Sequence, residues 1–353
     1  MIDSIAKLPK WLTIGLVLPL LVLNGWLLIL VSEYFASLIT IFLTATLLSF
    51  ILDYPVRLIE RRKIPRAIAI LLVLLLGILL LSIIGVTIIP ILLDQLNTLL
   101  ERLPSYVASG SEQAKVLEAW ADERNFPVSI SSLVADALSR LSVQLQLLSG
   151  QILGSFFSVV GSLLDLVLTI VLTFYMLLHG EELWSGLFEF FPDDSGREIR
   201  DSLKQTFNNY IIGQLTVASV MGASITIAFL IIKIPFGFLF GLVVGLMALF
   251  PFGAALSISL VSFLMALKSF WLGLKVLAIA FVIEQIVESV IAPRLLGEFT
   301  GLNPVLILGS LLVGAQLGGF LGLILAVPIA SFTKTLLALF NLTSKQVEIP
   351  INV

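Results

Sequence analysis

The chain has 353 residues, 59% hydrophobic and 12% charged, with a mean hydropathy of +1.12, whereas an ordinary soluble chain carries about 25% charged residues. A formal net charge of −3 and the lack of any long basic run offer nucleic acid nothing to bind. Zero cysteines exclude disulfides and thiolate chemistry, and one histidine, His179, excludes multi-histidine metal motifs, so no metal or cofactor is expected.

Apolar runs of roughly twenty residues, the length that crosses a bilayer, recur from the start. The first, 11–31, follows Lys7 and Lys10, is too long for a signal-peptide core and has no small-residue cleavage site after it. It reads as a span. The second span, 35–52, leads into a loop at 53–66 with Arg57, Arg61, Arg62, Lys63 and Arg66, the densest positive cluster of the chain. Positive charge marks the cytoplasmic side, so this loop and both termini are expected there. A third span, 67–93, completes an N-terminal unit, 1–93, and exits on the far side.

Residues 94–150 then break the pattern. Leu93, Leu96, Leu100 and Leu103 recur at helical steps among polar residues, and beyond a Pro/Gly/Ser-rich break Leu133, Ala137, Leu141, Leu145 and Leu148 do the same. These spacings predict an extracytoplasmic arm of amphipathic helices packed on each other or on a neighbouring subunit, hence a homo-oligomer. The unit 151–208 holds a fourth span, 152–178, with Asp165 inside it. A cytoplasmic amphipathic helix, REIRDSLKQTF, follows, started by PDDSG at 192–196.

The core of interest is expected at 209–340, before a tail at 341–353. A span at 209–232 carries Gln214; the run 236–267 is interrupted at Pro251 and Gly253; 270–292 is apolar apart from Lys275 and a polar centre; 304–340 is interrupted by Gly314, Gly318, Gly319, Gly322 and Pro328. Drawn straight at 1.5 Å per residue, the last run would be about 55 Å long against a hydrocarbon core of about 30 Å, so it must bend, tilt steeply or form a hairpin. The expected fold is all-α: a polytopic membrane protein of about eight membrane segments, two of them (236–267 and 304–340) broken or re-entrant.

A shift of 69 residues lays the two broken runs on each other: Pro235 on Pro304, Gly245 on Gly314, Gly253 on Gly322, Ser262-Phe263 on Ser331-Phe332. Paired, Gly/Pro-interrupted segments point to a transporter binding site, although glycines also serve plain helix packing. Two topologies follow. If 236–267 spans once, Lys268 and Lys275 are cytoplasmic; if both broken runs are re-entrant, the repeats are inverted and those lysines lie outside while Arg294 lies inside.

The polar centre of 270–292 is Glu284, Gln285 and Glu288. A four-residue spacing puts both carboxylates on one helix face. An ionised carboxylate in hydrocarbon costs at least about 2.5 kcal/mol, so the pair must face protein, a cation, a proton or water, and two like charges a turn apart are suited to sharing one proton. The opposing structural reading pins them to Arg294 or Lys275.

From Asn209 onward the chain resembles the autoinducer-2 exporter family of bacterial membrane transporters. Gln214, GLVVGLMALFPFGAALSI at 241–258, EQIVESVIAPRLLG at 284–297 and GLNPVLILGSLLVGAQLGGFLGLILAVPIASFTK at 301–334 carry the resemblance; the N-terminal half matches in layout. Family sequences commonly place a histidine where Asn303 stands here, and their Pro-aromatic turn is one residue longer. The resemblance implies a multispanning inner-membrane permease, with autoinducer-2 export in some members and cation/proton antiport in others.

The expected function is therefore a secondary transporter of a small polar solute in the lipid bilayer, coupled to H⁺ or Na⁺. Glu284, Glu288, Gln285, Gln214, Asn303 and Gln316 are the candidate solute or ion ligands, Pro251, Gly253, Gly318, Gly319 and Pro328 the candidate hinges, and Asp165 a candidate proton relay. A cation/proton antiporter and a non-transporting scaffold are the alternatives; no P-loop, HExxH or serine nucleophile elbow occurs to support an enzyme.

Overall fold

The computed structural model describes residues 19–20, 23–27, 30–31, 34–122, 163–188, 193–296 and 302–346. Most of the first expected span and all of the amphipathic stretch at 133–148 lie outside these residues. The described residues are helical, with no strand among them.

Helix α1, Ala36–Glu60, runs two turns past the expected end of its span. Asp53 and Arg57 therefore pair across one helical turn at 2.7 Å, and the basic loop shrinks to residues 61–65. Helix α2, Arg66–Asp122, is a single element of 57 residues that passes through Pro90 and Pro104. The boundary expected at residue 93 and the break expected after Leu103 both fall within it. A proline deletes one backbone bond of a helix; at Pro104 the neighbours Leu99, Leu103 and Tyr106 are buried in the main apolar core, which packs both sides of that turn.

Helix α3, Leu163–Phe188, is kinked at His179. Its Leu177 packs with Val56 of α1 and with Ala69, Ile70, Val73 and Leu74 of α2 in one apolar cluster. Just before the kink, the Leu177 carbonyl accepts both Nε (3.0 Å) and Nη2 (2.8 Å) of Arg66, whose guanidinium also lies 3.5 Å from Asp53. These contacts gather the basic loop, the end of α1 and the end of α3 at one end of the molecule.

Helix α4, Asp193–Ile231, fuses the expected amphipathic helix and fifth span into one rod. A tight turn follows, with Lys233 and Phe236 in the left-handed region (φ 58° and 59°). Helix α5, Gly237–Met247, returns antiparallel along α4. Glycine makes this contact possible: Gly237 lies on Phe229, Gly241 on Thr226 and Gly245 on Gly222, and a Cβ on Gly241 would overlap Thr226.

The chain breaks at 248–252 and resumes as α6, Gly253–Lys268. Helices α5 and α6 are not collinear. Gln95 of α2 accepts the Leu239 amide (3.0 Å) and Gln113 of α2 donates to the Leu267 carbonyl (2.9 Å). Those glutamines are about 27 Å apart along α2, whereas a collinear helix would separate residues 239 and 267 by about 42 Å. Side-chain reach does not close that gap, so the segment is bent at 248–252.

Helix α7, Phe270–Ile286, packs antiparallel to α6, with Gly273 set on Ala266. It continues through a π-helical turn, Val287–Ile291, into the short α8, Ala292–Leu296. Pro293 explains the π turn: it has no N–H for the next helical bond, and the ladder slips so that the Ala292 amide bonds Val287, five residues back.

Helix α9, Pro304–Gln346, reverses direction at Gly319 (φ 53°, ψ −131°). Gly314 and Gly322 touch backbone to backbone, and a Cβ on Gly314 would come within 2.9 Å of the Ala326 Cβ. Along a straight helix residues 314 and 322 would be about 12 Å apart. The reversal sits at Gly319; Pro328, expected as a hinge, is buried within the second arm.

Six described helices are long and apolar enough to cross a membrane: Ala36–Glu60, Arg66–Val116, Leu163–Leu183, Ile199–Ile231, Phe270–Leu295 and Pro304–Lys334. Among the described residues the number is six; most of the first expected span lies outside them, and the run at 236–267 divides into two shorter apolar helices of 11 and 16 residues. Leucines such as Leu71, Leu75, Leu76 and Leu79 on α2 are exposed, as a lipid-facing surface requires.

Candidate functional site

The break between α5 and α6 borders a cavity of about 450 Å³. Phe250, Pro251 and Phe252 of the break form one side and Ala254 and Ala255 of the first turn of α6 extend it. Tyr210, Gln214 and Val217 of α4 form the second side, at the i, i+4, i+7 spacing of a single helix face. Glu284, Glu288, Ala292 and Pro293 form the third; Ile307 and Val327, one from each arm of α9, close the fourth.

Both carboxylates expected to matter thus face the same space. Neither has a cationic side chain within 4 Å among the described residues, so the structural reading through Arg294 or Lys275 is not realised. The π turn carries Glu288, and single π turns inside helices recur at functional sites. Gln214 has a divided role: its Nε2 donates to the Ala248 carbonyl (2.7 Å), tying the end of α5 to α4, and its side chain lines the cavity.

The break itself is built from backbone that other sequences would not tolerate. Phe252 sits at φ 66°, in the left-handed region. A Cβ on Gly253 would overlap the Met247 carbonyl, so glycine is required there by close approach. Of the amides that open α6, that of Gly253 donates to the Phe250 carbonyl and that of Leu256 to the Phe252 carbonyl, each at 3.1 Å, and Ala254 and Ala255 bring that turn to the cavity wall.

Other candidates lie elsewhere. Gln285 is exposed and donates to Ser289 Oγ (2.8 Å). Asn303 caps α9, its Oδ1 accepting the Val305 amide (3.1 Å). Gln316 is exposed near the reversal of α9, and Gly318 and Gly319 form that reversal. Asp165 is half-buried in the first described turn of α3, and does not line the cavity.

The model of the AI-2E family transporter matches residues 16–341. The chain belongs to the AI-2E transporter family. It is similar to the sll0060 protein of Synechocystis sp., a candidate transport protein, with 41% identity over 331 residues, covering 93% of this chain and 96% of the relative. A candidate permease of Escherichia coli K12, PerM, is 25% identical over 86% of this chain and 88% of its own length. The AI-2 transport protein TqsA of the same organism is 23% identical over 90% and 91%. As a member of the AI-2E family this is a multi-pass membrane protein of a transport family, not an enzyme.

Among the cavity residues that the sequence alone did not single out are Tyr210, Phe250 and Pro293. Each had a signal. Tyr210 lies four residues before Gln214 on the same face; Phe250 adjoins the Pro-Phe-Gly interruption; Pro293 follows Glu288 within a helix that should not contain it.

Proposed function

We propose that this AI-2E family member is a secondary transporter that moves a small polar solute through the cavity at the α5–α6 break, with Glu284 and Glu288 as the solute- or ion-handling groups. One observation carries the reading: two carboxylates with no cationic side chain within 4 Å among the described residues face a cavity at the break of a membrane helix pair. Charge at that depth is costly unless a proton, a cation or the solute compensates it, and a site that exchanges such compensators is what coupled transport requires.

The topology that fits is re-entrant and inverted. With the basic loop cytoplasmic, the far end of α4 is outside, so the α5–α6 hairpin enters from outside and returns Lys268 there. Helix α7 then crosses inward, and the α9 hairpin enters from the cytoplasmic side. The 69-residue register supports this arrangement: it lays the break at 248–252 on 317–321, which contains the Gly319 reversal. Broken helices from inverted repeats meeting at a site are a recurrent transporter plan. We place the chain in the bacterial inner membrane, both termini cytoplasmic, as a homo-oligomer assembled through the long continuation of α2. Autoinducer-2, named for the relative TqsA, heads the solutes to test; the unpaired carboxylates equally favour a cation/proton antiporter.

The test is flux in proteoliposomes under imposed H⁺ and Na⁺ gradients, with autoinducer-2 and with Na⁺ as probes. Wild type should carry one of them in a gradient-dependent way, and Glu284→Gln should abolish the dependence. Unchanged coupling in Glu284→Gln removes the role of the carboxylate; no flux under any gradient from intact protein favours the scaffold.

A further inference from the structure

The two reversals of the core meet through a pair of rings. Phe250, at the α5–α6 break, and Phe320, next to Gly319 in α9, stand edge to face with centroids 5.4 Å apart and planes at 88°. Phe250 is 9% exposed and lines the cavity; Phe320 is 48% exposed and does not. The pair therefore runs through the wall, one ring on the cavity side and one on the outer side. Helix α4 and the run from α7 through the π turn into α8 bound two other sides, and the arms of α9 the fourth.

The α9 arms pack on each other at Gly314 and Gly322 and on a second apolar cluster from Leu321 onward, but the reversal itself is open. A Cβ at Gly318 or at Gly319 would meet nothing within 4 Å, so neither position is packed. Left-handed backbone occupies both reversals, at Phe252 (φ 66°) and Gly319 (φ 53°). Turns of this kind are the positions that change φ and ψ when a hinge moves. An edge-to-face pair is a single side-chain contact, so it can part and re-form while the packed helices stay intact.

We propose that Phe250 and Phe320 are the gate of the cavity: contact between the two hairpin tips seals it from one face of the membrane, and separation opens it. The inference rests on the transport reading for what passes, but the seal can be measured without any solute. The chain has no cysteine, so one can be introduced as the sole thiol. Ala255 is exposed on the cavity wall.

In proteoliposomes of known orientation, Ala255→Cys is labelled with a membrane-impermeant maleimide from each face in turn. We expect labelling from one face to be faster by ~10-fold or more, since a sealed state dominates. Adding Phe320→Ala should remove most of that asymmetry, whereas adding Phe320→Trp, which keeps a ring at the tip, should preserve it. If Phe320→Ala is not recovered as folded protein, Phe320→Leu takes its place. Equal labelling of Ala255→Cys from both faces overturns the gate, and so does an asymmetry that survives loss of the ring or is lost equally with tryptophan. A protein that shows no flux but passes this test would sink the transport reading while leaving the seal in place.

Discussion

Replacing the two cavity glutamates by glutamine should stabilise the protein while disabling it. Glutamine keeps the shape and one acceptor oxygen but carries no charge. A charge at the centre of a membrane helix costs about 2.5–3.5 kcal/mol on insertion scales. The structure reduces that figure, because Glu284 is only partly buried and Glu288 is exposed, with both on a cavity of about 450 Å³. A gain of about 1 kcal/mol for the first replacement is therefore expected, or about 2–4 °C in Tm if a membrane chain follows the scaling of domains somewhat smaller than this one. The second replacement should give less, since the first already removes the mutual repulsion of charges one turn apart, and neighbours in one site are not additive. The assay is thermal unfolding in detergent at alkaline pH of Glu284→Gln, Glu288→Gln and the double variant, beside gradient-driven flux of each. A loss of several degrees in either single variant would refute the reasoning, since it would mean that the carboxylates are held by partners and fasten helices together.

Close packing of α4 on α5 gives a second expectation. A Cβ on Gly245 would lie 2.6 Å from the Gly222 Cα and 3.2 Å from the Ala218 carbonyl oxygen; backbone cannot yield as a side chain can, so Gly245→Ala should cost about 1–3 kcal/mol and lower Tm, and an unchanged Tm would show that the helices can separate freely. At the α6–α7 joint, Gln113 donates to the Leu267 carbonyl and accepts the Phe270 amide, each at 2.9 Å. With such bonds worth about 0.5–1.5 kcal/mol each, Gln113→Ala should accelerate exchange of the Phe270 amide by about tenfold in hydrogen-exchange mass spectrometry, without altering amides at the other end of α6. Gly319→Ala places a Cβ on a backbone only glycine adopts readily; about 1–3 kcal/mol of strain should appear as a lower Tm and faster proteolysis between 315 and 321, and wild-type resistance there would argue against the reversal.

Much of this was legible in the residues. The two interrupted runs, and the register that superimposes them, follow from glycine and proline positions alone, because those residues act on the backbone directly. The carboxylate pair was legible because an ionisable group in an apolar helix is an energetic anomaly whatever surrounds it. What hydropathy could not resolve was continuity. Pro90 and Pro104 did not divide α2, and Pro328 did not divide α9, whereas Gly319 reversed it. A breaker permits an interruption; neighbours decide it. Tyr106 and Leu103 brace α2 at Pro104, whereas the space beside Gly319 itself is open.

The glutamines show the same limit at the level of single side chains. Gln214, Gln285 and Gln316 are equivalent as residues in apolar helices, and each was a candidate ligand. Their partners separate them: Gln214 is tied to the end of a broken helix, Gln285 bonds a serine one turn along its own helix, and Gln316 is exposed beside a reversal. Gln95 and Gln113, in a stretch that read as a polar arm, turn out to brace both feet of the α5–α6 pair. No periodicity distinguishes these roles, since each depends on which backbone group a different helix leaves unpaired nearby. Unpaired groups arise at breaks, so the breaks decide where polar side chains are used. That logic also explains the position of Glu288. It lies on the one turn of its helix that Pro293 forces out of α-helical register, where the backbone is already loosened and a cavity can border it.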